Sequence, residues 1–246
     1  MITISIINSK GGVGKTTTAA NVGACMARMG KKVLLVDLDQ QRNLSQSFNV
    51  PSQHTIYDLL KDAEGVVPTE ILPTLHILPS EKKLAAFEVE LVGKMAREFI
   101  LKKRLQQFEG AYDFAIIDCS PSVGLLTINA LTACEKVLIP LQAQYLAMEG
   151  VRALTETLVE VKNNLNKDLE ILGVILTMFN RRKILNREVA TEIEKHYPIF
   201  EAHIRENIAL AEAPAAGTDV FRYAPDSNGA KDYMALTEEI MRELGS

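Results

Sequence analysis

Ser9-Lys10-Gly11-Gly12-Val13-Gly14-Lys15-Thr16-Thr17 follows the apolar run Ile2-Thr3-Ile4-Ser5-Ile6-Ile7 and leads into Thr18-Ala19-Ala20-Asn21-Val22-Gly23-Ala24. The β-branched run predicts a strand, the glycines a loop, and the residues after them a helix. A lysine and a hydroxyl residue placed at the end of such a loop form a phosphate cradle. Successive backbone N–H groups and the positive end of the helix favour an anion there. Gly14-Lys15-Thr16 match the closing residues of the P-loop pattern, whereas Ser9 stands where its first glycine is expected. In that pattern Lys15 reaches the outer phosphate oxygens and the Thr16 hydroxyl ligates Mg²⁺.

Outward from the loop, Gly30-Lys31-Lys32 predicts a helix stop and Val33-Leu34-Leu35-Val36 a buried strand that delivers Asp37-Leu38-Asp39 to its carboxyl end. Alternation along a strand places Asp37 and Asp39 on one side, facing the crevice where ligands of open α/β sheets bind. Phe114-Ala115-Ile116-Ile117 is a second apolar strand ending in an acid, Asp118, which is the Walker B pattern and implies a carboxylate beside a Mg²⁺-bound water. The polar stretch from Gln40 to Val50 reads as a ligand-sensing loop rather than a core element.

Further strands are expected at Leu75–Leu78, Lys136–Leu141 and Ile171–Thr177. Helices are expected at Ile56–Lys61, Glu81–Leu91, Ala96–Phe108, Val123–Cys134, Ala147–Asn164, Arg187–His196 and Ala230–Leu244. Such alternation predicts an α/β fold, a doubly wound and mostly parallel sheet flanked by helices, in a single domain over residues 1–246.

The composition agrees with that size of core, since 47% of the 246 residues are hydrophobic. Lys and Arg number 27 against 31 Asp and Glu, a net charge of -4 that excludes a strongly basic, constitutive nucleic-acid binder but permits a local basic face. The three cysteines, Cys25, Cys119 and Cys134, lack C-x-x-C spacing and read as buried hydrophobes in a reducing compartment. No run approaches the roughly 18 apolar residues of a membrane span, and no leader is expected ahead of the loop. A soluble, cytoplasmic protein is the expectation.

Lys10 narrows the reading. A lysine at this place in the loop resembles the deviant Walker A motif, K-G-G-x-G-K-[ST]-T, of the ParA/MinD family of ATPases. The resemblance extends over most of the chain: Val36-Asp37-Leu38-Asp39 is similar to the family's switch I acids, Ile116–Ser122 to its Walker B segment, and Ile208–Pro214 to a late segment of the Soj-like, chromosomal ParA branch. It implies ATP and Mg²⁺ as cofactors, with Lys10, Gly11, Gly12, Val13, Gly14, Lys15, Thr16 and Thr17 on the nucleotide. Lys10 would act across a dimer interface, alongside Lys15 and the water-positioning Asp39 in catalysis. Thr16, Asp37 and Asp118 would attend the metal, and Asn180, Arg205 and Asn207 the adenine. The chain departs from the family's D-x-D-P-Q-G-N and D-C-P-P-S at Gln40, Arg42 and Ser120, where the family has proline, glycine and proline. The acids are intact, so ATPase activity with an altered switch loop is expected.

Arg181, Arg182, Arg187, Arg205 and Arg222 gather positive charge late in the sequence and are candidate contacts to nonspecific double-stranded DNA, a surface doubled by dimerisation. The resemblance implies a homodimer closed by ATP, release by a ParB-like partner, and a cytoplasmic, nucleoid-associated protein that moves a chromosome or plasmid. No helix-turn-helix segment of the longer plasmid type is expected. A ParA-like ATPase positioning a protein cargo, a MinD-like membrane-cycling ATPase and a nucleotide-gated scaffold are the alternatives. The acids Glu238, Glu239 and Glu243 against Arg242 oppose a basic membrane-binding helix, so no membrane partner is expected.

Overall fold

The apolar runs on either side of the glycine loop pair with each other. β1 (Ile2–Ile6) lies between β5 (Phe114–Cys119) and β6 (Lys136–Gln142), and β2 (Val33–Leu38) pairs with β5 on that strand's other side, all parallel. With β3 (Thr69–Leu72), β4 (Leu75–Leu78) and β7 (Glu170–Thr177) they form a seven-stranded sheet in the order β3-β4-β2-β5-β1-β6-β7. Only β3 runs antiparallel, against β4. This computed structural model describes residues 1–144 and 147–245, with the backbone alone at residues 147 and 149.

Strand alternation sorts the apolar side chains into two cores. Leu34, Val36 and Leu38 face a layer formed by α3 (Ile56–Leu60), α4 (Leu84–Glu90), α5 (Ile100–Leu105), α6 (Leu125–Ala133), α7 (Ala147–Asn164) and α8 (Ile184–Glu194). Val33 and Leu35 face the opposite layer, built on α1 (Lys15–Arg28) with α10 (Val220–Tyr223) and α11 (Asn228–Glu243). The sheet is therefore covered on both faces, the condition that lets strands this apolar be parallel.

Helix α1 sits close on the sheet because Gly23 has no side chain: a Cβ there would lie 2.6 Å from Leu35 Cδ2. The helix stops as the sequence predicts. Gly30 takes a φ of 85°, its N–H bonds the Ala27 carbonyl at 3.0 Å, and the Lys31 N–H bonds that of Met26 at 3.1 Å. Over its outer side, Tyr233 of α11 is buried and its hydroxyl lies 3.1 Å from Thr18 Oγ1.

Four elements went unpredicted. The polar stretch after Asp39 contains a short helix, α2 (Asn43–Ser47), that buries Leu44, Ser45 and Ser47, so it is a packed element and not only a loop. β3 is half-buried between Pro68 and Pro73, and α9 (Ala209–Ala215) carries Pro214 in its last turn. α10 is one turn, capped by the Asp219 side chain on the Arg222 N–H. The helix expected over Ala96–Phe108 is broken: Ala96 has a φ of 54°, and 3₁₀ turns at Arg97–Phe99 and Gln106–Phe108 bracket α5. The run Ile199–Ile204 meets the outer edge of β7 by two isolated parallel bridges. Among the described residues, no helix is long and apolar enough to cross a membrane.

Candidate functional site

The loop between β1 and α1 turns on two left-handed glycines, Gly12 at φ 73° and Gly14 at φ 89°, conformations in which a Cβ is costly. Gly14 is the N-cap of α1 and offers no side-chain cap, so the first N–H groups of the helix remain available to an anion. Side chains from two strand ends pin the loop. Asn8 Nδ2 donates to the Pro140 carbonyl at 2.8 Å while its Oδ1 accepts the Lys10 N–H at 2.9 Å, and Thr177 Oγ1 donates to the Val13 carbonyl at 2.8 Å.

An open cleft of about 600 Å³ lies against this loop, lined by Gly11, Gly12, Gly14, Lys15, Thr16 and Thr17 on one side and by Asp39 and α2 on the other. Lys15 is nearly buried, and its Nζ donates to the Lys10 carbonyl at 3.0 Å. Burial lowers its pKa, opposed chiefly by the charge of Asp118. An anion in the cleft would take over that ammonium. The Lys10 side chain leaves the cradle and bonds Gln144 Oε1 at 2.6 Å.

The three acids meet different fates. Register sets Asp37 directly opposite Asp118 across β2 and β5. Asp118 is fully buried, and among the described residues neither of its carboxylate oxygens has a hydrogen-bond partner. Burial raises its pKa well above the ordinary range, the charge of Asp37 adds to this, and the Thr16 hydroxyl and Lys15 offset it. Asp37 is also buried, yet its oxygens are occupied. Oδ2 accepts the Ser45 N–H at 2.8 Å and the Ser45 hydroxyl at 2.5 Å, and Oδ1 accepts the Asp39 N–H at 3.2 Å. Its pKa is pushed up to about 6 by burial, against the bonds from Ser45 and Asp39.

Asp39 lines the cleft, with Oδ1 accepting the Gln41 N–H at 3.0 Å. The expectation that Asp37 and Asp39 share one side thus fails. β2 ends at Leu38, the alternation stops there, and Asp37 turns to α2 while Asp39 turns to the cleft.

A hydroxyl from Thr16 beside a buried, unpartnered carboxylate fits Mg²⁺, which is held through few protein ligands and several waters. No cluster of three His, Cys, Asp or Glu residues suited to a metal occurs among the described residues. Cys25, Cys119 and Cys134 are free and buried.

Within the polar stretch read as ligand-sensing, Gln41 and, on α2, Asn43, Gln46 and Ser47 line the cleft, though sequence reasoning gave none of them an individual role; their polarity in a run after two acids was the available signal. Arg42 caps α2 at a φ of 62°, the backbone region that suits the glycine of the resembling motif. Its side chain is spent on the scaffold, with Nε donating to the Ser80 carbonyl at 3.0 Å and Nη2 to Ser52 Oγ at 2.6 Å.

A second cleft of about 480 Å³ shares Gly14, Thr17 and Met178 with the first and is lined beyond them by Arg205, Asn207, Ile208 and Tyr233. Arg205 and Asn207 are thus brought beside the cradle, but Asn180 lines an adjacent groove with Arg181, Arg182 and Arg205. The Asn207 carboxamide caps α9 through the Ala209 N–H at 3.0 Å, and the Arg205 guanidinium is bound to Asp232 at 2.6 Å. Arg222 is likewise bound to Asp219 at 2.5 Å. Among the described residues, Arg181, Arg182 and Arg187 carry no carboxylate partner, and Arg187 Nη1 donates to the Arg181 carbonyl at 3.3 Å.

The arrangement offers phosphate oxygens a run of backbone amides and one ammonium, and a metal a hydroxyl and a bare carboxylate, with the Asp39 carboxylate on the cleft wall. A family model described as an AAA domain matches residues 1–171. The sporulation initiation inhibitor protein Soj of Bacillus subtilis is 42% identical over 245 residues, covering 96% of this chain and 97% of Soj. The chromosome partitioning protein ParA of Myxococcus xanthus is 42% identical over 248 residues, 97% of this chain and 87% of that protein. Among solved structures, the Mycobacterium smegmatis protein described as cobyrinic acid a,c-diamide synthase, with bound ATP analogue and magnesium, superposes with a TM-score of 0.87. It is 31% identical, and the match covers all of this chain and 96% of that one.

Proposed function

Because this chain belongs to the ParA/Soj family of partitioning ATPases, we propose that it is a Mg²⁺-dependent ATP hydrolase, one domain over residues 1–246, that forms a homodimer on ATP. The dimer binds double-stranded DNA without sequence preference and, with a ParB-like activator, moves a chromosome or plasmid on the nucleoid in the cytoplasm. The observation that carries the ATPase reading is the pairing of Lys15, nearly buried under the amide cradle, with the unpartnered carboxylate of Asp118 behind Thr16. The names of the 42% identical relatives support the cargo.

Lys15 leaves the Lys10 carbonyl for the β and γ oxygens of ATP, and Gly11 to Thr17 hold the phosphates with backbone N–H groups. Lys10, released from Gln144, reaches the phosphates bound by the second subunit. Thr16 would hold Mg²⁺ and Asp118 one of its waters, and a bound Mg²⁺ would supply charge neutralisation at the phosphoryl oxygens. Asp39 orients the attacking water, a positioning task of the kind that dominates phosphoryl transfer. The adenine occupies the second cleft beside Arg205 and Asn207, with Asn180 at its outer neighbour.

Arg181, Arg182 and Arg187 supply phosphate contacts to DNA directly, and Arg205 and Arg222 do so while paired to Asp232 and Asp219. Filter retention of the full chain on double-stranded DNA with ATP, with ADP and without nucleotide tests the switch. Retention with ATP alone, falling steeply as salt rises and lost in Lys15→Ala, is expected. Equal retention with ADP would overturn it.

A further inference from the structure

We propose that Asp37 and Ser45 are positioning residues that set Asp39 and the cleft-lining side of α2 against the phosphate cradle, Asp37 being no metal ligand. The acceptor capacity that Asp37 uses is taken up by the chain that follows it: its Oδ2 takes both the N–H and the hydroxyl of Ser45, and its Oδ1 takes the Asp39 N–H. The contrast with its register partner is chemical. Asp118 has two oxygens free for a bound water, whereas Asp37 is already solvated by three donors from one segment of chain. A carboxylate sealed in this way pulls on what donates to it.

The chain of bonds continues beyond the pair. The Ser45 hydroxyl, while donating to Asp37, accepts the Ser80 N–H at 2.9 Å, and the Ser80 carbonyl accepts Arg42 Nε at 3.0 Å. The N-cap and the middle of α2 are thereby tied to the segment after β4, and with them the height of Gln41, Asn43, Gln46 and Ser47 above the cradle. A five-residue helix has too few internal hydrogen bonds to hold a position by itself. Its placement therefore comes from this anchor and from the burial of Leu44. Because Asp39 follows β2 by one residue and precedes α2, the same anchor closes the turn that carries it.

The catalytic half of the inference rests on Asp39 orienting the attacking water, and the test separates the two. In the full-length, nucleotide-free chain, Ser45→Ala is expected to raise amide hydrogen exchange over residues 43–47 by about tenfold or more, with β2 and β5 unchanged. In the presence of Mg²⁺ and ATP the same variant is expected to lower kcat on the order of 10–100-fold with KM within about threefold. Ser45→Thr, which keeps the hydroxyl, is expected to restore both readings. Wild-type exchange and kcat in Ser45→Ala would overturn the proposal. So would an Asp37→Asn chain that hydrolyses ATP at the wild-type maximum but only at raised Mg²⁺, the mark of a ligand. Should the wild-type chain fail to hydrolyse ATP, the ATPase reading falls, and the exchange comparison still decides whether Asp37 and Ser45 anchor α2.

Discussion

Asp39 is the acid that reaches the cleft while keeping one oxygen on the Gln41 N–H, a geometry suited to orienting a small ligand rather than to carrying a metal. Removing its carboxylate leaves the amide cradle and Lys15 in place. Asp39→Ala is therefore expected to bind ATP within about threefold of wild type and to lose roughly 100-fold or more in turnover, read by equilibrium binding beside single-turnover hydrolysis. Unchanged turnover would remove Asp39 from the reaction. Lys15, Thr16 and Asp118 were legible in the sequence because strand, loop and helix order leaves each of them one place to be. The separation of Asp37 from Asp39 was not, since it depends on where β2 stops and on a serine eight residues away. Arg42 shows a related limit. Its departure from glycine was visible, but that its guanidinium would be consumed by Ser80 and Ser52 is a fact of three dimensions.

At the scale of elements, the strands and the long helices were readable from apolar runs and helical spacing, and those that escaped have a common cause. α2, β3, α9 and α10 are each four to seven residues long, too short for a period to declare itself, and each is held by caps, prolines or neighbours. The α1–sheet contact gives a sharp test of packing against propensity. Replacing a helical glycine by alanine ordinarily stabilises by about 1 kcal/mol. At Gly23 the new methyl would stand 2.6 Å from Leu35 Cδ2, and Ile116 Cδ1 is 3.6 Å away, so overpacking costs about 1–3 kcal/mol and prevails. Gly23→Ala is expected to lower the melting temperature by several degrees, and because α1 carries Lys15 and Thr16 it should weaken nucleotide binding too. A variant more stable than wild type would mean that the layers have slack there.

Over the whole molecule, the crevice concentrates negative charge that the fold must carry without ligand. Asp37, raised to about 6, and Asp118, raised well above the ordinary carboxylate range, both chiefly by burial, hold protons more tightly folded than unfolded. Folded pKa values above the unfolded ones give stability that is complete below the unfolded carboxylate pKa and is lost as pH rises through the folded values. The nucleotide-free chain is thus expected to gain on the order of 1 kcal/mol from Asp37 as pH falls from about 7 to about 5, with Asp118 acting in the same direction. Asp118→Asn should flatten that slope and raise the melting temperature at neutral pH while abolishing Mg²⁺-dependent hydrolysis. A flat profile in the wild type, or an unchanged slope in the variant, would contradict it. Site chemistry and stability pull in opposite directions here.

The borders of the sheet set a limit of another kind. At one side the last strand is the four-residue β3, and at the other β7 is met along its outer edge by Ile199 and Ile204. Among the described residues, neither border presents a long row of unsatisfied amides and carbonyls, so growth by strand addition, the route to fibres, is blunted at both ends.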